Sequence, residues 1–579
     1  MANIYNKVPV KVQKKSGFDK SFQNLFTSKV GTITPILCDE VIPNSTVNLR
    51  VAMSAALPPL ASDTFMRCKL KYAAFFVPTR LLLPQGAYEK WLTGDDDFKT
   101  SYEIATNASP SYKITMPVLE LHHNSTLSDN STKVTAPGTL SDFLGVKMTS
   151  GATTTGWTMD VSALPYIGYH KIYNDWFRNS LVQKDIFSTG IGLNGVQFNA
   201  ANLMLKVPNN GATSNYVILD TIKGISNVND ASSSCFADGV HITELRQANF
   251  DIDLFTSSTP QAQNGAAQSV SFNLTDSTGG TLTETGFTIS ALRAANSIQQ
   301  WLERNNLAGN RMVDYVKANY GANLSDYIAQ RPVLLGSGSF DVFSKGIYQT
   351  AQNTAQDNAS TRNPFQSVAS RYGSAFIDGN DLIIKNFTAA EPGYVYVLVW
   401  LSPRVTYSTG IDPMLARYTK PSTQSQMANP ILQNVGNEPI YSWQLCDTVN
   451  KVGTPNVSAA TIFGYNDRYY AWKDKVDEVH GLLRDGQSLA SFALQRTFTN
   501  AASANSIQIS SEFLRIPTSY LDQVAAVSGD ISNYGYWCDT YMDYKVSMPL
   551  ARYSVPSLQD PCYEHGDDIM IDKSGRQLA

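Results

Sequence analysis

The longest uninterrupted apolar run in the chain is YVYVLVWL, residues 394–401. A membrane-crossing helix needs about 20 apolar residues, so this run is too short for one. A short run rich in Val, Tyr and Trp reads instead as a buried strand. Residues 66–77 (MRCKLKYAAFFV) read the same way, with Pro78 stopping them. Residues 32–56 hold short apolar stretches cut by Pro35, Pro43 and the Asn44-Ser45 turn signal. Another strand is expected over 376–384. Helical spacing shows in only three places. Residues 167–183 predict one amphipathic helix. Residues 290–305 place Leu292, Ala295, Ile298 and Leu302 on one face. Residues 311–320 precede Gly321, which sits where a helix C-cap belongs. Residues 190–247 read as short strands punctuated by Gly and Asn. Residues 100–160, 261–286 and 349–373 are polar and loop-like. No repeat of 20–50 residues is visible. Strands this far apart must share one core, because neither half carries a complete helical or βαβ pattern.

Charge sharpens this reading. Only 16% of the 579 residues are charged, against about 25% in an ordinary soluble domain. The formal net charge is −4, which excludes attraction of nucleic acid by the chain as a whole. The first 30 residues are the exception. Lys7, Lys11, Lys14, Lys15, Lys20 and Lys29 face Asp19 alone. Pro9 and Gly17 break the segment, so it reads as an extended basic arm. Its lysines can neutralise phosphates without reading sequence, and Phe18, Phe22 and Phe26 can stack on bases. Lacing across a neighbouring subunit is the competing reading, and the two are compatible. The nucleic-acid-binding candidates are Lys7, Lys11, Lys14, Lys15 and Lys20. At the other end, Glu564, Asp567, Asp568 and Asp572 mark an acidic tail over 562–579.

Catalytic and metal patterns are missing from the sequence. Six cysteines are scattered with no CxxC pair, as expected of free thiols in a reducing compartment. The six histidines form no HExxH, and no P-loop occurs. Asp95-Asp96-Asp97 lacks the spaced oxygens of a calcium loop. Gly336-Ser337-Gly338-Ser339 is not a nucleophile elbow and reads as a flexible turn. His170 and His480 read as packed or interface imidazoles. No catalytic residue, metal ligand or cofactor is assigned.

Several blocks nevertheless follow one another in a known order. GFDKSF (17–22) resembles an SFDRSF-type block. TPILCDEVIPNSTVNLR (34–50) resembles VPIxxDExxPGDTxxxR, and FFVPTRLL (75–82) resembles FFVPxRLLW. LPYIGYHKIYNDWFRN (164–179) resembles LPxRAYxxIxNEWFRD, the most specific of the set. LRAANSIQQWLERNNLAGNRMVDYVKANYG (292–321) and RPVLLGSGS (331–339) resemble a helical block and the RPEYLGGG after it. FGYNDRYYAWKDKVDEVHGLLR (463–484) resembles FGYQERWAEYRYKPSxxxGxFR. Together they resemble the major capsid proteins of microviruses, small single-stranded DNA bacteriophages, in their gokushovirus-like branch or a close neighbour. The chain departs from the pattern at Leu83-Pro84, at Asn179 where the family often has Asp, and over 190–240.

The resemblance implies a mainly β fold, an eight-stranded antiparallel jelly roll with long inserted loops and a few helices. It implies a basic arm over 1–30, one capsid domain over 31–561 with insertions near 100–160, 190–286 and 290–373, and the acidic tail. It implies self-assembly into a T=1 icosahedral shell around circular single-stranded DNA, in a virion assembled in the bacterial cytoplasm. Further implied partners are minor capsid, pilot or DNA-binding phage proteins and a host receptor, met by loops such as 190–240 and 261–286. The rival readings are a β-rich receptor- or carbohydrate-binding module that forms no shell, and a glycan hydrolase on a β scaffold.

Overall fold

The computed structural model describes residues 15–82 apart from 63, 118–123, 137–147, 157–186, 242–265, 289–308, 311–348, 371–416, 436–446, 462–498 and 507–552. It also describes short strand segments between 190 and 218 and residues 240, 430 and 433. The strands in chain order are β1 (Ser16–Asp19), β2 (Phe22–Ser28), β3 (Thr34–Val41), β4 (Thr46–Ala56) and β5 (Cys68–Pro78). Three hairpins follow: β6 (Val118–His123) with β7 (Trp157–Ser162), β8 (Gly190–Leu193) with β9 (Val196–Asn199), and β10 (Met204–Lys206) with β11 (Tyr216–Ile218). The chain then forms β12 (Val333–Asp341), β13 (Phe343–Tyr348), β14 (Arg371–Thr388) and β15 (Gly393–Pro403). A hairpin of β16 (Glu438–Tyr441) and β17 (Ile462–Asn466) precedes the last strand, β18 (Tyr536–Met548).

Two antiparallel sheets carry the architecture. One runs β1-β18-β4-β14-β13, with β2 also on β18; the other runs β12-β5-β15-β3. They hold six and four strands, and β1 and β2 lie in succession along one edge of β18. Neighbours in space are hundreds of residues apart in sequence, as a jelly roll requires. The sheets face each other. Phe76 of β5 packs 5.1 Å from Phe387 of β14, and the Tyr72 hydroxyl donates to Asp381.

Burial explains the sequence pattern strand by strand. In β4, Val47, Leu49, Val51, Met53 and Ala55 are buried and alternate with more accessible positions. In β18, Tyr536, Cys538, Thr540, Met542, Tyr544 and Val546 do the same. The six-stranded sheet therefore has one wet face. β15 is covered on both faces, which is why its apolar run is unbroken. Val395, Val397 and Val399 are buried with Phe76, the register partner of Val395. Tyr396 and Trp400 point the other way, under helix α1 (Leu164–Ile172): the Tyr396 hydroxyl donates to the Pro165 carbonyl at 2.8 Å, and Trp400 meets Phe177 edge-on at 4.9 Å. α1 opens with Pro165 in its first turn, a favoured place for proline, and runs into a π-helical turn, Tyr173–Phe177. The helix read over 167–183 thus starts earlier and stops at Arg178. α2 (Ile289–Ala308) and α3 (Met312–Tyr320) form the later helical block, and Gly321 caps α3 at φ +67°.

Gly336 to Ser339 lies in the middle of β12. The flexible turn read there is overturned, and the glycines serve close approach between strands. Among the described residues no helix is long and apolar enough to cross a membrane.

Burial also sets how this core titrates. It pushes the Cys538 thiol from 9.0 up to about 12 and the Tyr166 hydroxyl from 10.0 up to about 12. Tyr169, Tyr396 and Tyr536 move the same way for the same reason. Such groups contribute fully while both folded and unfolded chains keep the proton. The contribution is lost as pH rises past the unfolded value, because the unfolded chain ionises first. The unfolding temperature should stay flat from about pH 7 to 8.5 and fall between about pH 9 and 12. Circular dichroism melts across that range check it; a flat profile to pH 11 would contradict it.

Candidate nucleic-acid and assembly interface

Of the basic segment, Lys7, Lys11 and Lys14 lie outside the described residues. Lys15 is exposed, with Nζ 3.4 Å from Thr46 Oγ1. Lys20 sits between β1 and β2, where its ammonium pairs with Asp39 of β3 and lies 5.5 Å from the Tyr544 ring. Its charge is thus answered within the chain. Residues 16–28 are extended, as read, and hydrogen-bonded along β18. Phe26 is buried against Phe143 and Tyr536, at 6.1 and 6.5 Å. That ring is a packing anchor and is not available to a base. Phe22 also packs on the core.

The two histidines singled out from the sequence part company. His480 is 81% exposed and lies 3.2 Å from Glu478. His170 is fully buried on α1. Its Nε2 is 2.9 Å from the Ile242 carbonyl, and its Nδ1 accepts from Arg246 Nε at 2.9 Å. An imidazole that accepts at Nδ1 and donates at Nε2 is the neutral tautomer. Arg246 is buried too, its guanidinium 5.1 Å from the Tyr173 ring. The Tyr169 hydroxyl accepts from the Arg246 amide at 2.8 Å and donates to the Ile33 carbonyl at 2.7 Å. This node ties α1, the segment around Arg246 and the entry to β3 into one unit.

A second basic feature escaped the sequence reading. The π turn after α1 leaves carbonyl oxygens pointing out of the helix end, where cations are favoured. Arg311, just ahead of α3, donates through Nη2 to the carbonyls of Asn174 and Arg178, at 2.8 and 2.7 Å. Arg178 donates through Nη1 to the Gln183 carbonyl at 2.8 Å. The two arginines are 133 residues apart in sequence, so no spacing rule could have joined them. The WFRN and GNRMVDY blocks were the only signal.

A family model described as capsid protein (F protein) matches residues 6–558. The chain belongs to the capsid protein (F protein) family. Capsid protein VP1 of Chlamydia phage 1 is 26% identical to it over 96% of this chain and 98% of that one. Capsid protein VP1 of Bdellovibrio phage phiMH2K is 25% identical, over 96% and 97%. Capsid protein VP1 of Spiroplasma virus 4 is 24% identical over about half of each chain. This capsid protein is accordingly a structural component of a virion that assembles with copies of itself, and not an enzyme.

Two surfaces of this capsid protein leave apolar side chains in water. On α2, Leu292, Ile298 and Trp301 are all more than 40% exposed. Across the wet face of the six-stranded sheet, Trp537 opposes Ala56, Ala56 opposes Phe376, and Phe376 opposes Phe343. The three aromatics in that row are exposed. Clustered exposed apolar groups mark interaction surfaces.

Proposed function

We propose that this capsid protein closes, in identical environments, into the smallest class of icosahedral shell around a circular single-stranded DNA genome. The observation that carries the reading is the full-length similarity to phage VP1 capsid proteins. The exposed apolar faces of α2 and of the six-stranded sheet support it, because a subunit surrounded by copies can bury them. The surplus of lysine in the first 30 residues supports an inward position for that end, beside phosphate. The turn-rich residues 190–240 and 261–286, least like the family, are the candidate host-facing loops. Assembly belongs in the bacterial cytoplasm, with minor phage proteins and a cell-surface receptor as the further partners.

Sedimentation and imaging test this together. Purified protein should run as multi-megadalton icosahedral particles holding nuclease-protected single-stranded DNA. Replacing Lys7, Lys11, Lys14 and Lys15 with Ser should lower DNA content and reduce the salt slope by about 0.7 for each phosphate no longer neutralised. Exchange of 190–240 for a relative's residues should alter adsorption and leave particles intact. Stable monomers at every physiological salt concentration would sink the shell reading, and full DNA content in the lysine variant would leave the segment a purely structural role.

A further inference from the structure

Arg178 and Arg311 are held by carbonyl oxygens rather than by carboxylates, and neither has an ion-pair partner among the described residues. Asp175 and Asp314 lie near Arg311, and the first of them is engaged elsewhere. Asp175 pairs with Lys171 at 2.9 Å and Asp326 with Arg331 at 2.7 Å. With exposed Lys184, both arginines line a cavity of about 410 Å³ whose single acid is Asp185. Burial, and then the nearby Arg178 guanidinium, holds the pKa of Arg311 below the usual arginine value. The pocket is therefore short of negative charge.

Arg178 also lines a second cavity, of about 470 Å³, with Phe177, Trp400, Phe250 and Asn179 among its walls. Phe177 and Trp400 are half-buried, so each keeps surface open to a ligand. Asn179 accepts from the Leu181 amide through Oδ1 at 3.0 Å, and its Nδ2 donor has no partner among the described residues. Cations adjoining an aromatic wall that also carries an amide donor are the parts of a single-strand nucleotide site.

We propose that these adjoining cavities bind one nucleotide step of single-stranded DNA. The phosphodiester lies on Arg178, Arg311 and Lys184, and an unstacked base lies against Phe177 and Trp400. The proposal rests on the reading that the shell encloses such DNA. A carboxylate from a neighbouring copy could use the cations but would leave the aromatic wall unused, which favours nucleic acid. Asn179 matters because an aspartate there would place a carboxylate beside Arg178.

The test uses full-length particles carrying a genome substituted with 5-bromodeoxyuridine, irradiated and mapped by mass spectrometry. Cross-links are expected in residues 176–185 and at Trp400. Asn179→Asp, nearly isosteric, should cut the yield there about tenfold, because its carboxylate competes with the phosphodiester for Arg178, and leave cross-links in residues 1–30 unchanged. If Asn179→Asp particles fail to form, Lys184→Gln on the exposed rim decides, with an expected fall of about threefold. Cross-links found only elsewhere in DNA-filled particles, or unmoved by the substitutions, would overturn the site and spare the genome reading. Particles without DNA would overturn that reading and the site with it.

Discussion

Replacing Arg246 with leucine should destabilise the subunit by about 3–5 kcal/mol and sharply reduce the yield of particles. The guanidinium is fully buried, so its removal leaves a volume that leucine fills incompletely. It also removes one donor to His170 Nδ1, deep in the core. An unsatisfied buried acceptor costs about 1–3 kcal/mol by itself. The packing of Arg246 over Tyr173 goes as well. Replacing both partners should be milder than the sum of the single changes, because Arg246→Leu with His170→Leu leaves no orphaned ring nitrogen. The check is a double-mutant cycle on the urea midpoint. A single-variant loss below about 1 kcal/mol, or strict additivity of the pair, would show that the node is not a coupled unit.

Gly336→Ala is expected to cost about 3 kcal/mol, more than Gly338→Ala only two residues away. A Cβ at Gly336 would stand 2.1 Å from the Ile383 carbonyl oxygen, a backbone atom of β14. No rotamer change relieves that clash, so one sheet must move away from the other. A Cβ at Gly338 would meet the Tyr72 hydroxyl at 2.1 Å, and a side chain can yield where a strand cannot. Thermal melts of the two variants give the order. Equal losses, or a worse Gly338 variant, would mean that β12 does not set the spacing of the sheets.

These glycines also show where sequence reasoning stopped. Gly-Ser-Gly-Ser carries the composition of a flexible turn, yet in a strand the same residues mark close approach of another backbone. The two cases differ only in what lies opposite, and that is 47 residues further along at Ile383. The apolar run at 394–401 was legible because both faces of β15 are buried, so nothing polar interrupts it. Met312–Tyr320 was legible because periodicity and its glycine cap agree. The end of α1 was not, since a π turn keeps the composition of a helix while shifting its face. Lys20 looked free for phosphate because Asp39 is supplied by another strand. The Arg178–Arg311 pair was hidden for the same reason.

The first and last strands of the six-stranded sheet are partners. Asn24 accepts from Thr540 across 516 positions of chain, and β2 runs along β18 for its whole length. During synthesis, residues 16–28 leave the ribosome long before the strand that completes their pairing. Until β18 arrives, β2 and β4 present open edges to solvent, and pairings of such long separation form slowly. A subunit therefore becomes competent to join a shell only after Met548 has left the ribosome. Prematurely terminated chains lack the strand between β2 and β4, so quality control by exclusion is built into the order of translation.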